Sequence, residues 1–164
     1  MSNLSISKLS PESERLLRNL FEHYLHDMSE YFEVDTERDG SYSWDTSKYW
    51  TQGDHVYLAK AGDSIAGFAI VGSAAEWLGD TGAHDVHEFF ILRRFRRSGA
   101  GRQLAEHIWN AHHPGAWLVR VFEGNRPAVP FWRNAIAAYT SGAYQEEHRL
   151  IKGRDWRFFH FVRT

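Results

Sequence analysis

The sequence contains no cysteine. Disulfides, thiolate metal sites and a cysteine nucleophile are therefore excluded. No apolar run approaches the roughly 20 residues a membrane-spanning helix needs, so no membrane partner is expected. Met1-Ser2-Asn3-Leu4-Ser5 lacks the basic and apolar segments of a signal peptide, and a cytoplasmic location is the expectation. Positive charge is not in excess either. The net charge is −2 with histidine neutral, which argues against general affinity for nucleic acid. Several catalytic signatures are also missing. There is no G-x-x-x-x-G-K-[ST], no G-x-S-x-G elbow and no H-E-x-x-H. The ten histidines form no cluster with convincing ligand spacing, so no metal is expected. Internal repeats, low-complexity tracts and dividing linkers are absent, and residues 1–164 read as a single domain.

What the chain does have is concentrated in one place. Phe89-Phe90-Ile91-Leu92 is an apolar strand, and it runs into a loop carrying Arg93, Arg94, Arg96, Arg97 and Arg102 inside ten residues. Gly99-Ala100-Gly101 then opens a helix. Glycine lets a backbone approach an anion closely, a helix N-terminus adds a favourable dipole, and arginine grips phosphate. This is the chemistry of a pyrophosphate site. Five like charges on one turn would repel one another without a counter-anion. The dinucleotide fingerprint G-x-G-x-x-G fits less well: Leu104 stands where the third glycine belongs, and the loop follows an antiparallel meander instead of opening a parallel sheet.

Periodicity gives the elements around that loop. Leu4 to Leu9 alternates as a half-buried strand does. Ser10-Pro11 reads as an N-cap and first helical residue, and Leu16, Leu17, Leu20, Phe21, Tyr24, Leu25, Met28 and Phe32 follow at helical spacing. Residues 33–54 mix acids with aromatics and read as a loop or a short second helix. His55–Lys60 and Ile65–Val71 form a hairpin about Ala61-Gly62-Asp63-Ser64. Glu76–Ala83 reads as loop, Asp85–Leu92 and Trp117–Phe122 as strands, and Gly99–His112 and Pro127–Tyr139 as helices. Two late strands, Ala143–Leu150 and Trp156–Val162, could pair. A meander followed by alternating helices and strands predicts an α+β domain, a mixed sheet covered by helices.

Arg96-Arg97-Ser98-Gly99-Ala100-Gly101 resembles the R/Q-x-x-G-x-G/A motif of the GCN5-related N-acetyltransferase (GNAT) superfamily. One helix and one strand later, Asn125-Arg126-Pro127-Ala128-Val129-Pro130-Phe131-Trp132 resembles its second signature, Asn-x-x-Ala-x-x-Phe-Tyr, with Trp132 in the tyrosine place. The resemblance covers about residues 55–140 and is that of a small bacterial-type acetyltransferase. It implies the GNAT fold, a mostly antiparallel sheet splayed between two central parallel strands. It also implies acetyl-CoA as the acyl donor. Arg96, Arg97, Ser98, Gly99, Ala100, Gly101 and Arg102 would wrap the pyrophosphate. The backbone of Phe90, Ile91 and Leu92 would bond the pantetheine arm like an added strand. Asn125 would sit at the mouth of the splay, with Phe131 beside it in the same signature. Arg93, Arg94 or Arg126 would meet the 3′-phosphate.

The resemblance further implies direct acetyl transfer to an amine in a ternary complex, with the oxyanion held by a backbone N–H near Ile91 or Leu92. Glu88 is the candidate base, since alternation puts it on the face of Phe90 and Leu92 and sends His87 to the other. Asp85 and His84 are alternatives. The acid is open, because the indole of Trp132 cannot donate a proton at useful rates; Tyr139, Tyr144 or water could serve. Asp35, Glu37, Asp39 and Asp45 with Tyr42, Trp44, Tyr49 and Trp50 would suit a small amine acceptor, by charge attraction and cation–π contact. A homodimer through edge strands fits the family pattern. The rival reading is a non-catalytic acyl-CoA-binding module with the same fold, which the missing tyrosine would favour.

Overall fold

The computed structural model describes residues 3–163. Met1, Ser2 and Thr164, which belong to the expected leaderless start and single-domain span, lie outside the described residues. Strands β1 (Ser5–Lys8), β2 (His55–Ala61), β3 (Ser64–Ser73), β4 (His84–Ile91), β5 (Gly115–Phe122), β6 (Gln145–Ile151) and β7 (Arg154–Arg163) form one sheet, in the order β1-β2-β3-β4-β5-β7-β6. The helices are α1 (Glu14–Met28), α2 (Ser47–Thr51), α3 (Ala75–Leu78), α4 (Ala100–Ala111) and α5 (Ala128–Thr140). Every strand pair is antiparallel except β4–β5.

Side-chain alternation assigns the helices to the two faces. Leu17, Phe21 and Leu25 of α1 pack with Tyr49 of α2 against Phe68, Ile70 and Phe90. On the reverse face, Leu104 and Ile108 of α4 and Ile136 of α5 pack against Ala69, Val71, Val119 and Phe159. Strand β3 is buried on both sides, so it reads as a continuous apolar run. No helix among the described residues is long and apolar enough to cross a membrane.

Three local details bear on the sequence expectation: two differ from it, and the 33–54 segment takes the short-helix alternative. Pro11–Ser13 is a 3-10 turn that precedes α1, and the Ser10 hydroxyl donates to the Glu12 carboxylate instead of capping the helix. The 33–54 segment contains α2, anchored where Glu14 accepts from the Thr46 hydroxyl and the Trp50 indole N–H. The loop expected after β3 holds the one-turn helix α3, closed by Gly79 at φ +69°.

Candidate active site

Strands β4 and β5 pair only at His84–Trp117 and Asp85–Leu118. From there β4 stays with β3, β5 stays with β7, and the two part into a wedge. The Leu92 N–H donates to the Ala66 carbonyl on β3. Along an antiparallel edge the backbone groups alternate, so those of Phe89 and Ile91 turn towards the wedge. Phe90 and Leu92, expected to offer their backbone there, instead face β3. Ile91 fits that expectation in part: the Arg96 Nε–H already donates to its carbonyl at 2.8 Å.

At the end of β4 the chain makes a short 3-10 turn, Arg93–Phe95, and enters the glycine loop. Arg97 is left-handed at φ +61°, and so is Gly99 at φ +86°, the residue before α4. That geometry spends the Ser98 hydroxyl on the Phe95 carbonyl, and the first intrahelical bond runs from Gln103 N–H to Gly99. The N–H groups of Arg97, Ser98, Gly99, Ala100, Gly101 and Arg102 find no acceptor among the described residues. Six consecutive free donors at a helix N-terminus make an anion cradle. Gly101 has a packing reason as well. A Cβ there would stand 3.1 Å from the Phe131 ring and 3.6 Å from Ile91, so its absence lets α4 close on α5 and β4.

The arginines divide into two sets. Arg93 donates through Nε and an NH2 group to one oxygen of Asp27, at 3.0 and 2.7 Å, and Arg96 donates to the other oxygen. Asp27, at the end of α1, is only 9% exposed. Burial works against its charge, but the bonds from Arg93 and Arg96 outweigh it and hold its pKa below the usual carboxylate range. Arg102 pairs with Glu106 one turn on. The expected mutual repulsion of five arginines is therefore relieved within the chain, and Arg94 and Arg97 are the loop arginines with no carboxylate partner among the described residues. Asn125 lies in the turn after β5. Its backbone bonds Phe122 and Ala128, and its side-chain amide has no partner among the described residues.

Glu88 does share a face with Phe90 and Leu92, the face under α1. Its carboxylate accepts the Tyr24 hydroxyl at 2.7 Å and the Tyr49 hydroxyl at 2.6 Å, one on each oxygen. Burial pushes its pKa up, and the two phenols offset only part of that rise. Lys48, next along α2, lays its ammonium 4.1 Å from the Trp44 ring and 5.1 Å from that of Tyr49.

His87 is not on the opposite face. The β3–β4 register slips between Ile70–Glu88 and Val71–Val86, leaving His87 as an inserted bulge residue on the same side as Glu88. Its Nδ1 bonds Asp54 at 3.0 Å, and Asp85, fully buried, takes a two-point bond from Arg120 of β5 across the base of the wedge. Burial resists charge on His87, but Asp54 and Asp85 outweigh it and raise its pKa. Asp85 and His84 are thus tied into other contacts: Asp85 to Arg120, and His84 to the rings of His112 and Trp117.

The acid candidates stand elsewhere. Trp132 is 6% exposed, packed between Phe89, Trp109 and Phe131. The Tyr139 hydroxyl donates to Asn110 at 2.9 Å, and Tyr144 packs on Phe159. The sequence places Tyr24 only on the core stripe of the first helix, and Asp27 was not singled out. The signal for Asp27 was its carboxylate on the buried stripe of α1, one turn beyond Tyr24 and two beyond Leu20.

The site thus combines a mixed sheet opened between β4 and β5, a run of backbone N–H groups at the start of α4, and a buried carboxylate under α1. The Acetyltransferase (GNAT) family model matches residues 17–135, and the chain belongs to that family. Comparison with curated proteins gave no match. Among solved structures, the chain is similar to a ribosomal-protein-alanine N-acetyltransferase from Brucella melitensis at 15% identity and TM-score 0.65, covering 97% of this chain and 99% of that one. It is also similar to a spermidine N-acetyltransferase variant from Vibrio cholerae at 13% identity and TM-score 0.65, covering 99% and 95%. An acetyltransferase from Bacillus subtilis solved with CoA gives 11% identity and TM-score 0.60, covering 99% of both chains.

Proposed function

We propose that this chain transfers an acetyl group from acetyl-CoA to an amine by direct attack in a ternary complex. The observation that carries the reading is the run of six free N–H groups from Arg97 to Arg102 at the wide end of the β4–β5 wedge. That cradle suits the CoA pyrophosphate, with Arg97 beside it. The edge groups of Phe89 and Ile91 suit the pantetheine amides, with Asn125 across the gap and Phe131 behind. Arg93 is committed to Asp27, so Arg94 and Arg126 are the candidates for the 3′-phosphate.

Glu88 takes the proton from the attacking ammonium. Burial raises its pKa, which makes it a better base than an ordinary surface carboxylate, and the two phenols that donate to it favour the ionised form and oppose part of that rise. The Ile91 N–H, turned to the wedge, is the candidate oxyanion donor, since that of Leu92 is engaged by Ala66. Water protonates the departing thiolate, because Tyr139 is committed to Asn110 and Trp132 is enclosed in the core. A small primary amine is the favoured acceptor. The Lys48 ammonium resting on Trp44 and Tyr49 supports this, as the wall next to Glu88 already accommodates such a group.

The second reading, an acyl-CoA-binding module without turnover, draws on the same enclosed Trp132. Release of CoA thiol across a panel of polyamines, amino acids and peptide N-termini separates the two. Acceptor-dependent release above the hydrolysis rate supports transfer. Tight acetyl-CoA binding with no acceptor-dependent release supports the module.

A further inference from the structure

We propose that Tyr24 and Tyr49 are positioning residues that hold the Glu88 carboxylate in its working orientation and keep it ionised for proton abstraction. The inference rests on the reading of Glu88 as the base. The two phenols come from different elements and meet on one group: Tyr24 from α1 and Tyr49 from α2. Each takes one carboxylate oxygen, so both oxygens keep a lone pair for an incoming proton while the carboxylate plane is pinned.

The direction of the Tyr49 bond is fixed by its other partner. The Trp44 indole N–H donates to the Tyr49 oxygen at 3.2 Å, and an indole can only donate. The phenol proton therefore points at Glu88, and the three groups form a chain in which each bond polarises the next. Tyr24 is held as firmly by its ring, which packs against Phe21, Phe68 and Phe90 at 5.5–5.8 Å between centroids. Neither phenol is suited to be the missing acid. Burial and the Glu88 carboxylate push both well above the ordinary phenol value, so they stay protonated and act as donors.

Other charged groups face Glu88 from the elements around it. Lys48 comes from α2 and His87 from β4 itself, with Asp54 behind His87. Lys48 and a protonated His87 favour the carboxylate, and they stay in place when either phenol is removed. The loss of one phenol should therefore move the ionisation of Glu88 upward in pH without abolishing it.

The test is the pH dependence of kcat/KM for Tyr24→Phe, Tyr49→Phe and Glu88→Gln, each with acetyl-CoA affinity and thermal midpoint measured alongside. Each Tyr→Phe variant is expected to move the acidic limb to higher pH by roughly half a unit or more, and to lower kcat/KM at neutral pH about tenfold. Acetyl-CoA affinity should stay at the wild-type value. In the Glu88→Gln background, adding either Tyr→Phe should cost nothing more. Tyr24→Phe carries the test alone if Tyr49→Phe, which lies deeper in the core, fails to fold. An acidic limb that stays in place in the Tyr→Phe variants, with Glu88→Gln inactive, overturns the positioning role and leaves the base intact. Undiminished turnover in Glu88→Gln overturns the base itself and, with it, this role for the tyrosines.

Discussion

Gly72 shows how much a single position can hold at this site. A Cβ built there would fall 2.1 Å from the His87 ring and 2.6 Å from Asp54, so the His87–Asp54 pair exists only because position 72 has no side chain. Gly72→Ala should cost about 1–3 kcal/mol of stability as the ring is forced away, measurable by urea unfolding. A wild-type midpoint would show that the cluster repacks freely. Glu88→Gln should lower kcat by roughly a hundredfold or more while sparing acetyl-CoA affinity, read by thiol release and calorimetry. A rate within twofold of wild type would remove Glu88 from the chemistry. The orientation of Glu88 was legible because strand alternation holds from Glu88 to Leu92. That of His87 was not: a bulge arises from how β4 meets β3, and no pattern within β4 announces it. The Tyr24 phenol and Asp27 escaped for a related reason, whereas Tyr49 was already marked among the aromatics of the 33–54 segment. The partners of Tyr24 and Asp27 lie 64 to 69 residues away in sequence, and helical spacing alone marks Tyr24 as core.

Among the elements, α1 and the glycine loop are joined by the Asp27 clamp. Asp27→Asn would leave Arg93 and Arg96 side by side without their shared carboxylate, and should cost about 2 kcal/mol in chemical unfolding. An unchanged midpoint would make the clamp incidental. Within the loop, Gly99 needs φ +86°, which a β-branched residue resists. Arg97→Ala with Gly99→Val should weaken acetyl-CoA binding by roughly a hundredfold while circular dichroism stays native. Undiminished affinity would remove the pyrophosphate role of the loop. Helix and strand positions were largely legible, because long amphipathic segments and glycine turns carry their own signals. Ends were less so. Ser10-Pro11 has the composition of a helix start, yet the chain there makes a 3-10 turn first, and a one-turn helix such as α3 carries too few residues for periodicity to register.

At the scale of the whole molecule, one end of the sheet gathers His55, His84 and His112, with ring centroids 4.6–4.7 Å apart about His112 and the Tyr57 hydroxyl 2.9 Å from its Nε2. Burial and the neighbouring histidines push His112 down to about 4, and burial lowers His55 and His84 as well. The folded form therefore binds these protons less readily than the unfolded chain, whose histidines titrate near 6.5. Stability from this cluster should be intact above that value and decline as pH falls towards 4. His112→Gln should flatten the fall in thermal midpoint between pH 7 and 4.5, and a slope equal to wild type would contradict the assignment. The overall α+β architecture was legible from element order, and the family from two motifs in the right sequence around one helix and one strand. The meeting of α1, α2 and β4 around Glu88 was legible only in part: the 33–54 aromatics were marked, but their contact with β4 joins distant parts of the chain. The account as a whole rests on the cradle of free N–H groups receiving CoA phosphates, and calorimetric titration with acetyl-CoA, with CoA and dephospho-CoA as controls, tests that most directly. Micromolar binding that weakens without the 3′-phosphate is the expected result; no binding at millimolar ligand would contradict it.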